Sequence, residues 1–391
     1  MSSIRLAHIS DTHLGYRALF KADPETGRNQ RAVDIEKAYE LAIDDILTRD
    51  VQLIIHGGDV FHHTRPTWAA IRAFVRQTRR LTEAGLPVVV IGGNHDTPRL
   101  RSSGSVFSVM ELALPEVRFV CEYEQEIISF RELNLDVLAV PHGKLADPVG
   151  PNAFPTSGLR NILVTHGLVS NLELRGQHRE PGEEDIADYL LDEEFDYIAL
   201  GHYHVFNKVR HNTWYSGSTE RMGFGDEDVT PGYALVEIGS LESGADVTHI
   251  PIETRPMKTI APVDGESRSA REIADIVLDR IVRYVEPETN ARVEIRNSLR
   301  PVKREVESIL RRESASLCWA LQVYSRGDIL TNPGDKMVHS GSTDVRSLFD
   351  EFITERVYET NFAAAFAERG RRALDDAIRA AESTAREDGV A

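Results

Sequence analysis

Short apolar runs alternate along the first half of the chain with longer stretches that repeat apolar positions at helical spacing. The runs end in glycine or a polar residue and cover 4–9, 53–56, 88–91, 137–140, 162–165 and 197–200. From Trp68 to Leu81, apolar side chains recur on one helix face, with Pro66 before them and Gly85 after them. Buried strands that alternate with amphipathic helices predict an α/β layer fold.

Three later strand-like stretches follow one another without intervening helices, at 214–218, 233–238 and 247–252. Their β-branched and aromatic residues favour strands. We expect them to close a second sheet, which would give a sandwich flanked by helices.

The distribution of elements predicts four regions. A large α/β domain would occupy 1–256, and a small α/β accessory domain would occupy 257–330 with a helix over 273–284 and strands at 292–295 and 318–324. A linker rich in turn residues would follow at 331–343. Residues 344–391 would be helical, and the apolar stripe at 345–353 favours a partner-binding surface.

Composition narrows the class of protein. The chain has 391 residues, of which 41% are apolar, and no apolar run reaches the roughly 18 residues that a membrane span needs. The first residues turn polar at Ser10 and lack the apolar core of a signal peptide, which predicts a cytoplasmic protein. Only Cys121 and Cys318 are present. A metal site would therefore be built from histidine and carboxylate rather than from thiolates.

Net charge argues against a protein that coats nucleic acid by bulk electrostatics. With 45 basic and 62 acidic residues, the net charge is 45 − 62 = −17. The acidity is uneven, because 268–313 holds 11 basic and 9 acidic residues. Some basic residues are candidates for contacts with nucleic-acid phosphates, with a solvated surface position as the alternative. They are Arg17, Lys21, Arg28 and Arg31 in the loop after His13, and Arg292, Arg296, Arg300, Lys303 and Arg304 in this segment.

Metal-binding side chains follow five of the predicted strands. They occur in Asp11-Thr12-His13, Gly58-Asp59, Gly93-Asn94-His95-Asp96, His166-Gly167 and Gly201-His202-Tyr203-His204. Ligands of α/β sheets gather at the carboxyl ends of strands. In an extended segment residues i and i+2 point the same way, so Asp11 with His13, and His202 with His204, would each offer two ligands. Seven oxygen and nitrogen ligands suit two adjacent divalent ions, with Mn²⁺ favoured over structural zinc.

These blocks, in this order, resemble the calcineurin-like metallophosphoesterase superfamily. The segments His13-Leu14-Gly15-Tyr16, Gly58-Asp59-Val60-Phe61-His62 and Tyr215-Ser216-Gly217-Ser218-Thr219-Glu220-Arg221 resemble more closely the SbcD-type nucleases of double-strand-break repair. The resemblance covers about 4–255. It implies a four-layer α-β-β-α sandwich, a capping domain at 257–330 and a C-terminal helical segment that binds an ATPase.

The resemblance also implies roles for individual residues. One Mn²⁺ would be held by Asp11, His13, Asp59 and His204, and the other by Asp59, Asn94, His166 and His202, so that Asp59 bridges the pair. His95 would orient the scissile phosphate or protonate the leaving oxygen, Asp96 would hold the His95 imidazole, and His62 would contact the phosphate.

The function implied is that of a DNA nuclease with 3′-to-5′ exonuclease and endonuclease activities. It would act as a homodimer at DNA ends in the nucleoid, together with an SbcC-type coiled-coil ATPase. The alternative is a small-molecule phosphodiesterase or phosphatase, because a metal site alone does not select the substrate. His8 and His56, which lie inside strand runs, are expected to be buried core histidines, and His142 to be a loop residue.

Overall fold

The computed structural model describes residues 3–98, 100–147, 155, 158–170, 172, 183–239, 244–325 and 368–373. The chain divides into two compact units, Met1–Ile329 and Leu330–Ala391. In the second unit, the described residues 368–373 are helical. The predicted linker at 331–343 and the apolar stripe at 345–353 lie outside the described residues and stay predictions.

Strands and helices of the first unit follow the predicted alternation. The strands are β1 (Ile4–Ile9), β2 (Leu53–His56), β3 (Val88–Ile91), β4 (Val117–Val120), β5 (Glu126–Phe130), β6 (Leu135–Val140), β7 (Arg160–His166), β8 (Leu168–Val169), β9 (Asp185–Ile186), β10 (Tyr197–Gly201), β11 (Asn207–Lys208), β12 (Thr213–Tyr215), β13 (Gly232–Ile238), β14 (Ala245–Pro251), β15 (Met257–Asp264), β16 (Asn290–Arg296) and β17 (Ala320–Tyr324). The helices are α1 (Gln30–Ile46), α2 (Trp68–Glu83), α3 (Phe107–Ala113), α4 (His142–Leu145), α5 (Ala270–Tyr284) and α6 (Arg300–Glu313).

Two six-stranded sheets form the larger part of this unit. The first has the order β14-β13-β1-β2-β3-β4, and the second has the order β11-β12-β10-β7-β6-β5. Neighbouring strands from β1 to β4, and those from β12 through β10 and β7 to β6, are parallel. The carboxyl ends of these parallel strands therefore gather at one edge of each sheet.

The expectation that the three late strands all belong to the second sheet is wrong for two of them. Only β12 joins that sheet, beside β10. Strand β13 pairs antiparallel with β1, from Ile4 opposite Ile238 to His8 opposite Ala234, and β14 follows as its hairpin partner. The chain therefore crosses between the sheets after Tyr215, within the Tyr215–Arg221 block.

Apolar side chains pack in three layers around the two sheets. One layer, with Tyr39 and Phe74, lies between the first sheet and helices α1 to α3. The second, with Leu6 and Ile162, lies between the sheets, and the third, with Leu190, covers the outer face of the second sheet. The predicted two-sheet α/β fold is confirmed. Among the described residues, the outer face of the second sheet is covered by α4, the β8–β9 pair and a 3-10 turn rather than by long helices.

Helix α2 begins and ends where its sequence predicts. The hydroxyl of Thr67 accepts a hydrogen bond from the amide of Ala70 and caps the first turn, directly after Pro66. Gly85 follows the helix with φ of +78°, a left-handed conformation that glycine adopts without steric cost. This helix places the loop that precedes it, with His62, beside the edge of the first sheet.

A third, smaller sheet has the order β15-β16-β17 and is parallel throughout. Helices α5 and α6 connect its strands and bury Ile273, Val277 and Val306 against it. The side chain of Ser269 and that of Glu272 form a capping box at the start of α5. The helix and the strands predicted in this region are confirmed, and they share one compact unit with the two large sheets.

Candidate metal centre and active site

The seven predicted ligands meet at the carboxyl ends of β1, β2, β3, β7 and β10. They are Asp11, His13, Asp59, Asn94, His166, His202 and His204. Asp11 and His166 are completely buried, and Asp59 and His13 are each 2% exposed. Groups of acidic and imidazole side chains whose ligand atoms lie within 4.8 Å of one another include Asp11 with His13 and His204, and Asp11 with Asp59 and His166.

Asp59 lies at the centre of this cluster. Its Oδ2 atom is 3.6 Å from Nε2 of His13 and 3.5 Å from Nε2 of His166. Its other oxygen, Oδ1, accepts a hydrogen bond of 2.9 Å from the main-chain amide of His95. One carboxylate oxygen is thus anchored by the backbone, while the other faces histidines from both large sheets.

The remaining ligands approach from both sides of Asp59. Nε2 of His13 lies 3.2 Å from Nε2 of His204. On the other side, the amide oxygen of Asn94 lies 2.9 Å from Nε2 of His166 and 3.2 Å from Nδ1 of His202. The side chains therefore form two adjacent groups that share one carboxylate.

Hydrogen bonds at the far side of two rings direct lone pairs toward the middle of the cluster. Nδ1 of His166 lies 2.8 Å from the carbonyl oxygen of Gly57, and Nδ1 of His204 lies 3.1 Å from Oδ2 of Asp226. Because Nδ1 donates in each pair, Nε2 of the neutral ring carries no hydrogen and presents its lone pair to the cluster. Lone pairs gathered around Asp59 repel one another unless a cation lies between them, so these donors fit divalent metal ions.

The charges of the cluster favour bound cations as well. Burial alone would lower the pKa of His166, but the carboxylates of Asp59 and Asp11 raise it to about 9. Burial alone would raise the pKa of Asp59, but the imidazoles of His166 and His13 hold it well below its usual range. An environment that stabilises a positive imidazole also stabilises a metal cation at that place.

The ligands converge by a different backbone geometry from the one expected. Asp11, His13, Asp59 and His202 have φ angles of +52°, +42°, +52° and +115°. These left-handed conformations are rare for residues with side chains and cost on the order of 1–3 kcal/mol each. The i, i+2 alternation of an extended segment is therefore the wrong explanation for the pairing of Asp11 with His13. The tight turns after the strands are what direct both side chains inward.

Two glycines allow the sheet edges to come this close together. A Cβ atom on Gly93 would lie 2.2 Å from Oδ1 of Asp59, and one on Gly201 would lie 2.0 Å from the carbonyl oxygen of Gly57. Real Cβ atoms do not approach other atoms so closely. The glycines in the sequence blocks thus keep the space that the ligands and the backbone need.

His95 and His62 lie together beside the predicted ligands. Their rings stack with centroids 4.9 Å apart, and both rings are within 5.3 Å of the His13 ring, measured between centroids. Nδ1 of His95 lies 2.9 Å from the main-chain carbonyl of His62. The Nε2 atom of His95 is then directed away from this bond, and both rings border an open cleft.

The predicted role of Asp96 is wrong. Its carboxylate does not hold the His95 ring but accepts hydrogen bonds from the main-chain amides of Val60, Phe61 and Gly93, at 2.9, 2.9 and 3.2 Å. Burial raises the pKa of Asp96 to about 7, although these amides act in the other direction. Asp96 therefore fixes the loop after β2, which carries Asp59, against the loop after β3.

A cleft of about 980 Å³ opens beside His62, His95 and Asn94. One wall carries the apolar residues Trp68, Ile71, Val106, Val109 and Met110, and the rim includes Arg65 and Glu184. Trp68 is 86% exposed. The predicted metal centre is thus accessible from a broad surface depression rather than from a closed chamber.

Several residues that support the site were not identified from the sequence. Ser10 donates to Oδ2 of Asp11 at 2.5 Å, Asp226 binds His204, and Glu183 lies 3.3 Å from Nε2 of His202. His142, expected in a loop, is buried in α4, with Nδ1 3.1 Å from the carbonyl oxygen of His166. For Asp226, the only indication in the sequence was the segment Gly223-Phe224-Gly225-Asp226, in which an acidic residue follows two turn-forming glycines.

The prediction for His8 and His56 is confirmed, since both are buried core histidines. Nδ1 of His8 lies 2.8 Å from the hydroxyl of Tyr197, and Nε2 of His56 lies 3.1 Å from that of Thr12. Burial lowers the pKa of each ring to about 3. Both rings are therefore neutral at physiological pH.

Two of the candidate DNA-binding residues have structural roles instead. The guanidinium of Arg31 is 1% exposed and forms ion pairs with Asp34 and Glu220. Lys21 donates to the carbonyl oxygen of Trp319, and its Nζ atom lies 4.0 Å from the centroid of the Trp319 ring. Arg31 belongs to the core, and Lys21 connects the large domain to the region of the third sheet.

Comparison with known proteins places this geometry in a family. The family model for calcineurin-like phosphoesterases matches residues 4–206. The chain belongs to the calcineurin-like phosphoesterase family. It is therefore a metal-dependent phosphoesterase, and the matched residues include all seven predicted ligands. Among its described residues, no helix is long and apolar enough to cross a membrane.

Three archaeal relatives of this chain are DNA double-strand break repair proteins named Mre11. The chain is 30% identical over 290 residues to the DNA double-strand break repair protein Mre11 of Haloferax volcanii, an alignment that covers 72% of this chain and 60% of that protein. It is 28% identical to the Mre11 of Methanosarcina acetivorans, over 71% of this chain and 44% of that protein. It is 25% identical to the Mre11 of Thermoplasma acidophilum, over 88% and 89%. The chain thus spans less than two thirds of the first two relatives.

Proposed function

We propose that this phosphoesterase is a Mn²⁺-dependent DNA nuclease that processes double-strand breaks, with 3′-to-5′ exonuclease and endonuclease activities. The observation that carries the proposal is the shared carboxylate of Asp59, with histidines of both sheets 3.5 and 3.6 Å from one of its oxygens. The description of the archaeal relatives as double-strand break repair proteins supports DNA as the substrate.

Two Mn²⁺ ions would occupy the cluster on either side of Asp59. Asp11, His13 and His204 would hold one ion, Asn94, His166 and His202 the other, and Asp59 both. Carboxylate, amide and imidazole ligands without thiolate suit Mn²⁺. A pair of bound divalent cations supplies an activated water nucleophile and neutralises the charge that develops on the phosphate.

The residues of the chain itself would orient the substrate and move one proton. With Nδ1 of His95 held by the carbonyl of His62, Nε2 of His95 faces the cleft in which a phosphodiester would lie. As the bond between phosphorus and the leaving oxygen breaks, a protonated His95 would give its Nε2 proton to that oxygen. His62, stacked on His95, would contact the phosphate from the same side.

The shape of the cleft supports a polymeric substrate. Its volume of about 980 Å³ and its open side suit a nucleic acid strand that crosses the surface. The region 257–330 would cap this surface and contact DNA, for which the exposed Arg304 is a candidate. The region 344–391, which the sequence predicts to be helical after a linker at 331–343, would bind an SbcC-type coiled-coil ATPase. The protein would then act in the cytoplasm at the nucleoid.

An exposed apolar patch supports a homodimer. Trp68, Leu100, Val109 and Leu112 are 86%, 69%, 58% and 84% exposed, and all lie on or beside α2 and α3. Exposed apolar side chains clustered in this way are typical of protein interfaces. Sedimentation of the wild-type protein should give a dimer, and a Trp68→Ser, Leu112→Ser variant should sediment as a monomer.

The decisive test is substrate preference with Mn²⁺. Labelled double-stranded and single-stranded DNA, bis-p-nitrophenyl phosphate and cyclic nucleotides would be compared with the same preparation, with and without chelator. We expect chelator-sensitive cleavage of DNA from 3′ ends. Rapid hydrolysis of cyclic nucleotides or of bis-p-nitrophenyl phosphate without DNA cleavage would support the small-molecule phosphoesterase instead and contradict the nuclease.

A further inference from the structure

The loop 222–227 lies between the predicted metal ligand His204 and the third sheet. Asp226 occupies its inner side, where Oδ2 is 3.1 Å from Nδ1 of His204 and accepts a second hydrogen bond of 2.9 Å from the amide of Met222. The Asp226 side chain is 13% exposed. One oxygen of Asp226 therefore connects His204 to the backbone of the loop.

The next residue, Glu227, points to the other side. Its Oε2 atom accepts hydrogen bonds from the main-chain amide of Thr259, at 2.7 Å, and from the Thr259 hydroxyl. Thr259 belongs to β15, the first strand of the third sheet. Neighbouring carboxylates thus bind the predicted metal centre on one side and the third sheet on the other.

Arg292, on β16, strengthens the outer connection. Its Nε atom donates to the hydroxyl of Thr259 at 2.8 Å, and its guanidinium lies 4.8 Å from the centroid of the Phe224 ring, within range of a cation–π contact. Phe224 is itself buried and begins the 3-10 turn that ends at Asp226. The third sheet therefore holds the loop through Glu227 and through Phe224.

We propose that Asp226 is the positioning residue for His204, and that Glu227 transmits the position of the third sheet to it. Asp226 fixes the ring orientation and the tautomer of His204, so that Nε2 faces His13, 3.2 Å away. Ligands must stay within about 0.5 Å of their productive geometry to bind a metal well. A displacement of the third sheet that moves Glu227 would therefore weaken the ion held by His204.

The opposite side of the centre offers an internal comparison. His202, assigned to the other ion, has a different carboxylate nearby, with Glu183 3.3 Å from its Nε2 atom. Asp226 and Glu227 make their hydrogen bonds to His204 and Thr259 instead. Disturbing the loop 222–227 should therefore affect one of the two ions and leave the affinity for the other unchanged.

This inference rests on the proposed dinuclear Mn²⁺ centre, and the test measures metal binding without substrate. Mn²⁺ would be titrated calorimetrically into the full chain. We expect Asp226→Ala to lower the affinity of one of two sites by about 10- to 100-fold, the range for loss of a residue that orients a metal ligand. Asp226→Asn should have a smaller effect, because its amide oxygen still accepts a hydrogen bond.

Asp228→Asn is the matched control for the loss of one negative charge, since Asp228 is exposed and lies two residues along the same segment. It should bind both ions as the wild-type protein does. If Asp226→Ala fails to fold, as judged by circular dichroism, Asp226→Leu, which has a similar size and also lacks an acceptor, carries the measurement. Wild-type affinity at both sites in the folded variant would contradict the positioning role. Failure of the wild-type chain to bind two Mn²⁺ would contradict the dinuclear centre itself.

A double-mutant cycle tests the role of Glu227. Glu227→Ala alone should weaken the same ion as Asp226→Ala, and it should have no further effect when Asp226 is already alanine. Non-additivity of this kind means that Glu227 acts through Asp226. Independent, additive losses of affinity, or no loss with Glu227→Ala, would overturn the connection between the third sheet and the metal centre.

Discussion

Nδ1 of His95 lies 2.9 Å from the main-chain carbonyl oxygen of His62. This bond assigns the Nδ1 proton and leaves Nε2 of His95 toward the cleft. The stacked His62 ring, 4.9 Å away between centroids, limits rotation of the imidazole. His95 is thus held in a single orientation without using Nε2, as an acid that protonates a leaving oxygen requires.

We predict that His95→Ala keeps both Mn²⁺ ions but loses most of its nuclease activity. Loss of a general acid lowers the rate by roughly 100- to 10,000-fold. The closeness of His95 and His62 to His13 would also allow these three rings to bind a metal, so Mn²⁺ must be counted in the same preparation. His211→Ala, at an exposed position, is the control. Fewer than two ions per chain would make His95 a ligand rather than an acid.

We predict that Asp59→Ala loses both ions rather than one. Its Oδ2 atom faces His13 and His166, which belong to different ion sites in the proposed arrangement. Without this carboxylate, two divalent cations would face each other with less negative charge between them. Mn²⁺ would be counted by equilibrium dialysis at saturating concentration, with Asp228→Ala as the control. Retention of two ions would show that Asp59 does not bridge.

The sequence predicted the strand ends because each carries its own local signal. Apolar runs end in Gly-Asp at Asp59 and in Gly-Asn-His-Asp at Asn94, so the candidate ligands could be proposed without knowing how the chain folds. Strand bounds agree closely for the same reason, since buried parallel strands are nearly continuous apolar runs.

Features that depend on contacts between distant segments could not be predicted from local sequence patterns. Asp96 lies three residues after Gly93 and next to His95, yet two of its three partners are amides of another loop, more than 30 residues away. Asp226 contacts His204 across 22 residues through a turn with no metal-binding pattern. The sheet to which β13 belongs was mistaken because periodicity indicates a strand but not its neighbour.

We predict that a chain ending at Asn332 stays folded and still cleaves bis-p-nitrophenyl phosphate. The first compact unit ends at Ile329, and every proposed ligand precedes residue 205. The truncated chain should not co-purify with a co-expressed coiled-coil ATPase, and it should lose ATP-stimulated DNA cleavage. A large fall in melting temperature would mean that the C-terminal region belongs to the core. Co-purification at the wild-type level would place the ATPase contact within the first unit.

We predict that the buried histidines make the protein less stable at mildly acidic pH. Burial lowers the pKa of His8 and His56 to about 3, so both remain neutral in the folded protein. In the unfolded chain they take up protons near pH 6.5. Their stabilising contribution is therefore complete above about pH 6.5 and is lost as the pH falls toward 3. At pH 5 the loss is up to roughly 2 kcal/mol per ring.

Substitution of one ring separates this contribution from that of the metal ligands. His8→Gln keeps an acceptor for the Tyr197 hydroxyl but does not titrate, so its free energy of unfolding should fall less steeply between pH 6.5 and 5 than that of the wild-type protein. The difference between the two slopes of unfolding free energy against pH approaches the value for uptake of one proton on unfolding. Both slopes would be measured by urea unfolding with chelator present. His211→Gln, at an exposed position, should keep the wild-type slope. An unchanged slope for His8→Gln would mean that His8 is protonated in the folded state, because only then does unfolding take up no proton at this ring.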